Sequence, residues 1–231
     1  MKYEAKNVGG VATSTPAGTP WVSISQTSAI TTSQAACSGC HLITEAEWLT
    51  IVQNVLSVSS NWSGGAVGSG YIYSGHNDNA PAIALAADTN DANGYFGETN
   101  TGGTQRRTLT LTNGQVIWDL AGNVNGWTNG TVVAGQPGIA SGGYYGWRDW
   151  NAITTPGNLS PSPFPSYGTP AANAWTLVQG IGEVTYADES AARGFFRGGN
   201  WNGGGSAGVS ALNSGGAPSN TYTTLGFRVS R

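Results

Sequence analysis

Residues 197–231 read RGGNWNGGGSAGVSALNSGGAPSNTYTTLGFRVSR. Large or constrained residues (Arg197, Trp201, Val209, Leu212, Pro218, Leu225, Phe227 and Arg228) recur between runs of Asn, Gly, Ser, Thr and Tyr. A segment needed only for packing would carry fewer small polar positions between its anchors. A flexible tail would lack the anchors. The pattern describes a rigid frame that displays exchangeable side chains.

The rest of the composition agrees with a surface of amides and hydroxyls. Charged residues make up 9% of the chain, against about 25% in an ordinary soluble domain. Gly reaches 36 of 231 residues, and Trp and Tyr 9 each. A net charge of −3 gives no basic footprint, so no nucleic-acid partner is expected. No apolar run approaches the roughly 18 residues of a membrane span. The opening MKYEAKNVGG lacks the apolar core of a signal peptide and is not read as one. Low charge with abundant Gly, Asn, Ser, Thr and Trp suits a cell surface or a virion, and that is the expected location.

The two cysteines lie in Cys37-Ser38-Gly39-Cys40-His41. The string matches the c-type haem attachment pattern, with His41 as axial ligand. A haem would also need an apolar pocket and a second ligand, for which the chain offers Met1 and His76. The alternative is a loop with two thiols ahead of a helix, free or joined in a tight disulfide.

The strongest helix signal starts at Thr44, which caps a first turn while Glu47 reaches back to the cap amide. Trp48, Ile51, Val52 and Val55 follow at the spacing of one buried helical face. A weaker helix is expected around residues 28–37. Residues 107–111 (RTLTL), the turn Thr112-Asn113-Gly114 and residues 115–118 read as strand, tight turn, strand. Short strands are expected at residues 198–202, 208–213 and 226–229. Long loops, at about residues 57–106 and 131–182, carry scattered aromatics, among them Tyr95, Phe96 and the cluster from Tyr144 to Trp150. No linker or internal repeat divides the chain, so residues 1–231 are expected to form one domain.

Four separated strings then coincide. Leu42-Ile43-Thr44-Glu45-Ala46-Glu47-Trp48 resembles the L-P-T-E-A-E-W helix of the formylglycine-generating enzyme (sulfatase-modifying factor) superfamily. Trp118-Asp119-Leu120-Ala121-Gly122-Asn123-Val124 resembles its W-D-x-x-G-N-V segment. Arg197-Gly198-Gly199-Asn200-Trp201 resembles its R-G-G-S-W, and Leu225-Gly226-Phe227-Arg228 its closing I/L-G-F-R. Lys2-Tyr3-Glu4 fits the K-Y-E of its first strand. The resemblance implies an α+β architecture, a C-type lectin-like fold with two helices, short twisted strands and long structured loops.

Fold alone does not assign chemistry. The oxidase branch of that superfamily places copper-binding cysteines shortly after R-G-G-S-W, and those positions fall near Gly203 and Gly208 here. The iron branch needs three histidines, and this chain has only His41 and His76. Among the carboxylates, Asp78, Asp119, Asp149, Glu183 and Glu189 sit in no pattern that specifies acid–base work. No catalytic residue is therefore expected. The family's calcium site carries over in part, to the Asp119 side chain and the carbonyls of Gly122 and Val124. Its further acidic residue is replaced by Gly126, which weakens the site because charge count sets affinity. No cofactor is expected beyond such a structural calcium.

The same pattern, with residues 41–48, 69–81 and 118–123, is similar to diversity-generating retroelement variable proteins, which display hypervariable residues on this lectin-like fold. Mutation at template adenines changes chosen positions there while the frame stays fixed. The resemblance implies a frame of Arg197, Gly198, Gly199, Trp201, Gly208, Val209, Leu212, Ala217, Pro218, Gly226, Phe227 and Arg228, with Trp201 and Phe227 in the core. The displayed, ligand-binding positions would be Asn200, Asn202, Gly203, Gly204, Ser206, Ser210, Asn213, Gly215, Gly216, Asn220 and Tyr222. All are residue types that adenine replacement in an Asn codon yields. The set is paratope-like in its adaptable polar residues, but Tyr222 is its sole aromatic. Residues 144–150 would either add aromatic anchors or pack over the core. The expected partner is a protein or glycan on a cell or virus surface. The alternatives are an adhesin or lectin of fixed specificity and, further off, a divergent enzyme of the same fold.

Overall fold

The computed structural model describes residues 1–89, 105–132, 146–149, 179–186 and 192–231. The chain opens with a hairpin of β1 (Lys6–Val8) and β2 (Val11–Thr13), followed by α1 (Gln26–Ala36), β3 (His41–Leu42) and α2 (Glu45–Leu56). Strands β4 (Thr108–Thr110), β5 (Val116–Trp118), β6 (Asn125–Val132), β7 (Gly146–Asp149) and β8 (Glu183–Tyr186) come next. Strands β9 (Arg193–Arg197), β10 (Leu212–Gly216), β11 (Leu225–Phe227) and β12 (Val229–Ser230) complete the order. Among the described residues, two α-helices with many short strands make an α+β arrangement. Tyr95, Phe96, Tyr144, Tyr145, Trp150 and Glu189, singled out above, lie outside the described residues, as does most of the second long loop.

Helix α2 forms where its cap predicts. The Thr44 hydroxyl accepts from the Glu47 N–H at 3.1 Å, and Glu47 accepts from the Thr44 N–H at 2.8 Å. The Glu47 carboxylate also accepts from the Ser230 hydroxyl at 2.7 Å and lies 3.0 Å from the His41 ring. Desolvation alone would raise its pKa, but the hydrogen bonds from Ser230, Thr44 and His41 outweigh it and hold the value at about 2. A depressed carboxylate stabilises the fold fully above its ordinary value of 4.5 and loses that contribution as pH falls toward about 2. Glu47→Gln is therefore expected to flatten the melting-temperature profile between pH 4.5 and 2. A profile that keeps its parental slope there would count against this assignment.

The central sheet has six strands in the order β11-β6-β9-β10-β8-β7. β11 runs parallel to β6, and β10 parallel to β8, while the remaining neighbours are antiparallel. Register decides which face each residue joins. Arg197 is opposite Leu212, and Leu212 is opposite Val184. With Phe195, Leu212 and Val184 meet Trp48, Val52 and Val55 of α2 in one core cluster. Phe196 is opposite Trp127, and Trp127 is opposite Phe227. These three join Ile24, just ahead of α1, and Ala29, in its first turns, in a second cluster on the other face. Trp127 and Phe196 meet edge to face at 5.1 Å, an arrangement that adds to simple burial.

Two strand expectations differ from the fold. Residues 208–211 form a turn, and the strand expected over residues 208–213 runs instead over Leu212–Gly216, as β10. Residues 198–202 form a corner rather than a strand, because Gly198 and Gly199 take φ of 89° and 76°, a region open to glycine. The strand precedes them, as β9. β6, over residues where no strand is expected from the sequence, is an eight-residue strand paired on both sides. The thiols of Cys37 and Cys40 form a disulfide, and His41 lies against Glu47, so the haem pattern finds no free thiols to attach through.

Candidate ligand-binding surface

The frame begins in the interior. Arg197 is fully buried and donates to the Glu45 carboxylate at 2.6 and 3.1 Å. It also donates, at 3.1 Å, to the Ser210 carbonyl. Glu45 also accepts from the Thr128 hydroxyl at 2.5 Å. One arginine thus ties the first turn of α2 to the chain just ahead of β10. The Trp48 indole N–H reinforces that tie by donating to the Val209 carbonyl at 3.0 Å.

A second buried arginine anchors the last strands. Arg228 donates to the carbonyls of Trp118 and Asp119, the latter at 2.6 Å, and to Lys2 at 3.3 Å. Beside it, Glu4 accepts from the Asn123 side chain at 2.5 Å and from the Val124 N–H at 3.2 Å. Burial, then the neighbouring Asp119, pushes the Glu4 carboxyl up to about 7, against the pull of Arg228 and Lys6. Asp119 and Asn123 take φ of 50° and 62°, which Asp and Asn tolerate better than most side chains.

Between these anchors, residues 199–206 fold over the loop at residues 74–79. Asn79 N–H donates to the Trp201 carbonyl at 2.7 Å, and Gly204 N–H to the Asn77 carbonyl at 2.8 Å. The Asn77 side chain returns a bond to the Gly204 carbonyl at 3.2 Å. Ser206 donates to Glu183 at 2.7 Å. Asn202 is exposed on this turn, while Asn200, Gly203, Gly204 and Ser206 are half-buried. A second group follows β10. Asn213, Gly215 and Asn220 are half-buried, and Tyr222 is 47% exposed, its hydroxyl accepting from Asn220 at 2.6 Å.

Two displayed positions need correction. Ser210 is fully buried, its N–H bonded to the Ile181 carbonyl at 2.9 Å. Gly216 is buried opposite Gly194, and a β-carbon there would lie 2.9 Å from the Phe196 ring. Gly216 is turned inward by the register of β10, and Ser210 by the turn just ahead of that strand. Of the two frame aromatics, Phe227 lies in the core, but Trp201 is only half-buried. It borders the exposed turn instead of underpinning it.

The calcium expectation fails on its acid. Asp119 holds Arg107 through both oxygens, at 2.7 and 2.6 Å, and both side chains are buried. This arrangement serves an internal ion pair and does not fit a cation at Asp119. Among the other carboxylates, Asp78 caps the Ala80 N–H at 3.1 Å and lies 3.5 Å from the buried His76 ring. Burial lowers the His76 pKa against the pull of Asp78. Glu183 holds Ser206, and Asp149 ends β7. Among the described residues, no group of three His, Cys, Asp or Glu is placed to hold a metal. No described helix is long and apolar enough to cross a membrane.

Sequence reasoning missed the part played by Arg107 and by the partners that fix the exposed turn, Asn77 and Asn79. The sequence signal for the two asparagines is the polar loop Ser74-Gly75-His76-Asn77-Asp78-Asn79, in which the structure buries His76 and Asn77. Polar residues are rarely buried without a structural task.

No protein-family model matches the sequence, and no curated protein matches it. Among solved structures, the chain is similar to one named Major Tropism Determinant U1 Variant, at 14% identity. The match covers 91% of this chain and 42% of that one, with a TM-score of 0.34. The chain thus spans less than half the length of that protein. So loose a likeness leaves the fold to be argued from this chain's own elements.

Proposed function

We propose that the protein is a non-catalytic ligand-binding protein, a single lectin-like domain over residues 1–231 that displays variable residues from a fixed frame. Its class is the variable protein of a diversity-generating retroelement. It works at a cell surface or on a virion, against a protein or glycan of another surface, without a cofactor. The observation that carries the reading is the division of labour within residues 197–228. Arg197, Val209, Leu212, Phe227 and Arg228 are buried and bonded, while Asn202 and Tyr222 are exposed and Asn200, Gly203, Gly204, Ser206, Asn213, Gly215 and Asn220 are half-exposed. Ser210 and Gly216 are left out of the displayed set.

Such a surface must tolerate exchange. Asn202→Tyr, Asn213→Tyr and Tyr222→Asp are each expected to change stability by no more than about 0.5 kcal/mol. That corresponds to a shift in melting temperature of about 2 °C or less for a chain of this size. Leu212→Ala, in the frame, is expected to lose about 2–5 kcal/mol. Large losses at two of the three surface positions would sink the reading. The gene neighbourhood provides an independent test. A reverse-transcriptase gene should lie beside this one, with a repeat matching the codons of residues 197–231 and differing at adenines. A gene without that repeat, invariant between isolates, points instead to an adhesin or lectin of fixed specificity.

A further inference from the structure

The geometry points to a second part of the binding face, outside the exchangeable positions: we propose that the groove between β1 and the 15–22 loop binds a neutral glycan. This inference rests on the reading of residues 199–222 as a ligand surface and extends it. The groove has a volume of about 680 Å³, within the range of about 300–1,000 Å³ usual for small-molecule sites. Lys6, Asn7, Val8, Thr15, Thr19 and Trp21 line much of it, and among the described residues its lining includes no carboxylate. The one cation among the described lining residues, Lys6, is buried and engaged electrostatically by Glu4 and Asp119. The groove therefore offers no free charge to an ionic partner.

What it does offer is an aromatic beside unused amide and hydroxyl groups. Trp21 is half-buried and packs on the Phe227 ring at 5.9 Å. The indoles of Trp48, Trp62 and Trp127 each donate to a backbone carbonyl, at 3.0, 2.8 and 2.8 Å. Among the described residues, the Trp21 N–H has no such acceptor, although tryptophan at a packed position usually finds one. Asn7 accepts from the Gly10 N–H at 2.8 Å through its carbonyl oxygen, which leaves its NH₂ group for another partner. Thr19 is exposed in the same wall. A pyranose presents an apolar C–H face and a rim of hydroxyls, so it matches an indole flanked by an amide and a hydroxyl.

The groove adjoins the displayed segment. The Ser23 N–H donates to the Tyr222 carbonyl at 3.0 Å, which fixes Tyr222 next to Val22, a groove residue. Trp21 therefore supplies a constant anchor, and Tyr222 a replaceable one beside it. In this arrangement the groove sets the ligand class, and the exchangeable residues select within it.

The test is a printed array of neutral oligosaccharides probed with the full chain, followed by fluorescence titration of the sugars that bind. Trp21→Phe keeps an aromatic ring against Phe227 but removes the N–H and part of the stacking face. Asn7→Ala and Thr19→Ala remove polar partners at exposed positions. Trp21→Phe is expected to weaken binding about tenfold, and each alanine variant severalfold, the size of a lost hydrogen bond. Tyr222→Ala is expected to change which sugars bind. Unchanged affinity in Trp21→Phe, Asn7→Ala and Thr19→Ala, with parental melting temperatures, overturns the groove. If Tyr222→Ala and Asn202→Ala then abolish binding, the displayed surface stands without it. An array that captures only acidic sugars, or no sugar while a peptide array does bind, also overturns the proposal.

Discussion

Replacing Arg197 by Met is expected to cost about 3–5 kcal/mol, because it leaves the Glu45 carboxylate buried without its counter-charge. For a chain of this length that corresponds to a fall in melting temperature of about 6–20 °C. The physical basis is the depth of the pair: Arg197 is fully buried, and the Glu45 side chain is 5% exposed. Thr128 and Ser210 complete the hydrogen bonding. The cost arises from the stranded charge and not from any large net worth of the pair. Glu45→Gln in the same background should therefore recover part of the loss. Urea unfolding of the two single variants and the double variant checks this directly. Arg197→Met should also loosen residues 199–211, because the guanidinium holds the Ser210 carbonyl. Hydrogen exchange there should rise ahead of exchange in α2. A single variant that loses less than about 1 kcal/mol would mean the pair is hydrated and the frame is held by other contacts.

Arg197 also shows what could be read before the structure. The strings around Glu45, Asp119, Arg197 and Arg228 are far apart in sequence, yet they are one another's contacts. Arg197 holds Glu45, Arg228 holds the carbonyls of Trp118 and Asp119, and Glu4 holds Asn123. Their spacing along the chain identifies the set, but it does not pair its members. α2 was legible because a capping box and a helical stripe are local, and so was the β4–β5 turn. β6 was not: two Asn and two Gly weaken its strand propensity, and it is held by partners on both edges that lie at least 60 residues away. At residues 198–202 the difference is local instead, because two glycines with positive φ turn the chain where a strand is expected.

The candidate site divides along the same line. Anchors such as Val209, Leu212 and Phe227 stand out by size alone. Ser206 and Ser210, however, are the same residue four positions apart, one reaching Glu183 at the surface and the other fully buried. Only the path of the chain between Gly198 and β10 separates them. Trp21 escaped notice because it sits in no motif, and its significance comes from an unused N–H that only the neighbouring side chains reveal.

The other large effect is expected at Gly208, and it bears on why this frame carries no thiol there. A β-carbon at Gly208 would lie 2.3 Å from the Gly182 nitrogen, 2.4 Å from the Ile181 carbonyl carbon and 2.5 Å from the Ile181 oxygen. All three are backbone atoms, so no side-chain rotation relieves the contact. The opposing segment has little freedom to retreat: Ile181 is buried, its carbonyl accepts from Ser210, and Gly182 already sits at φ of 91°. Gly208→Cys must therefore separate two backbones within the core. The expected cost is about 3 kcal/mol or more, at the upper end for overpacking, or a drop of about 6–12 °C in melting temperature. Gly203 is the contrasting case. It is half-buried, and the nearest atom to a β-carbon there is the Asn200 oxygen at 3.1 Å, so Gly203→Cys is expected to stay within about 1 kcal/mol of the parent. The oxidase resemblance would put its pair of cysteines near these two positions, and the chain has room for one of them. Gly208 is thus a point of backbone contact that keeps residues 199–206 seated on the body of the fold. A Gly208→Cys protein that melts with the parent would show that the two backbones can part, and would reopen the case for a thiol site beneath the exposed turn.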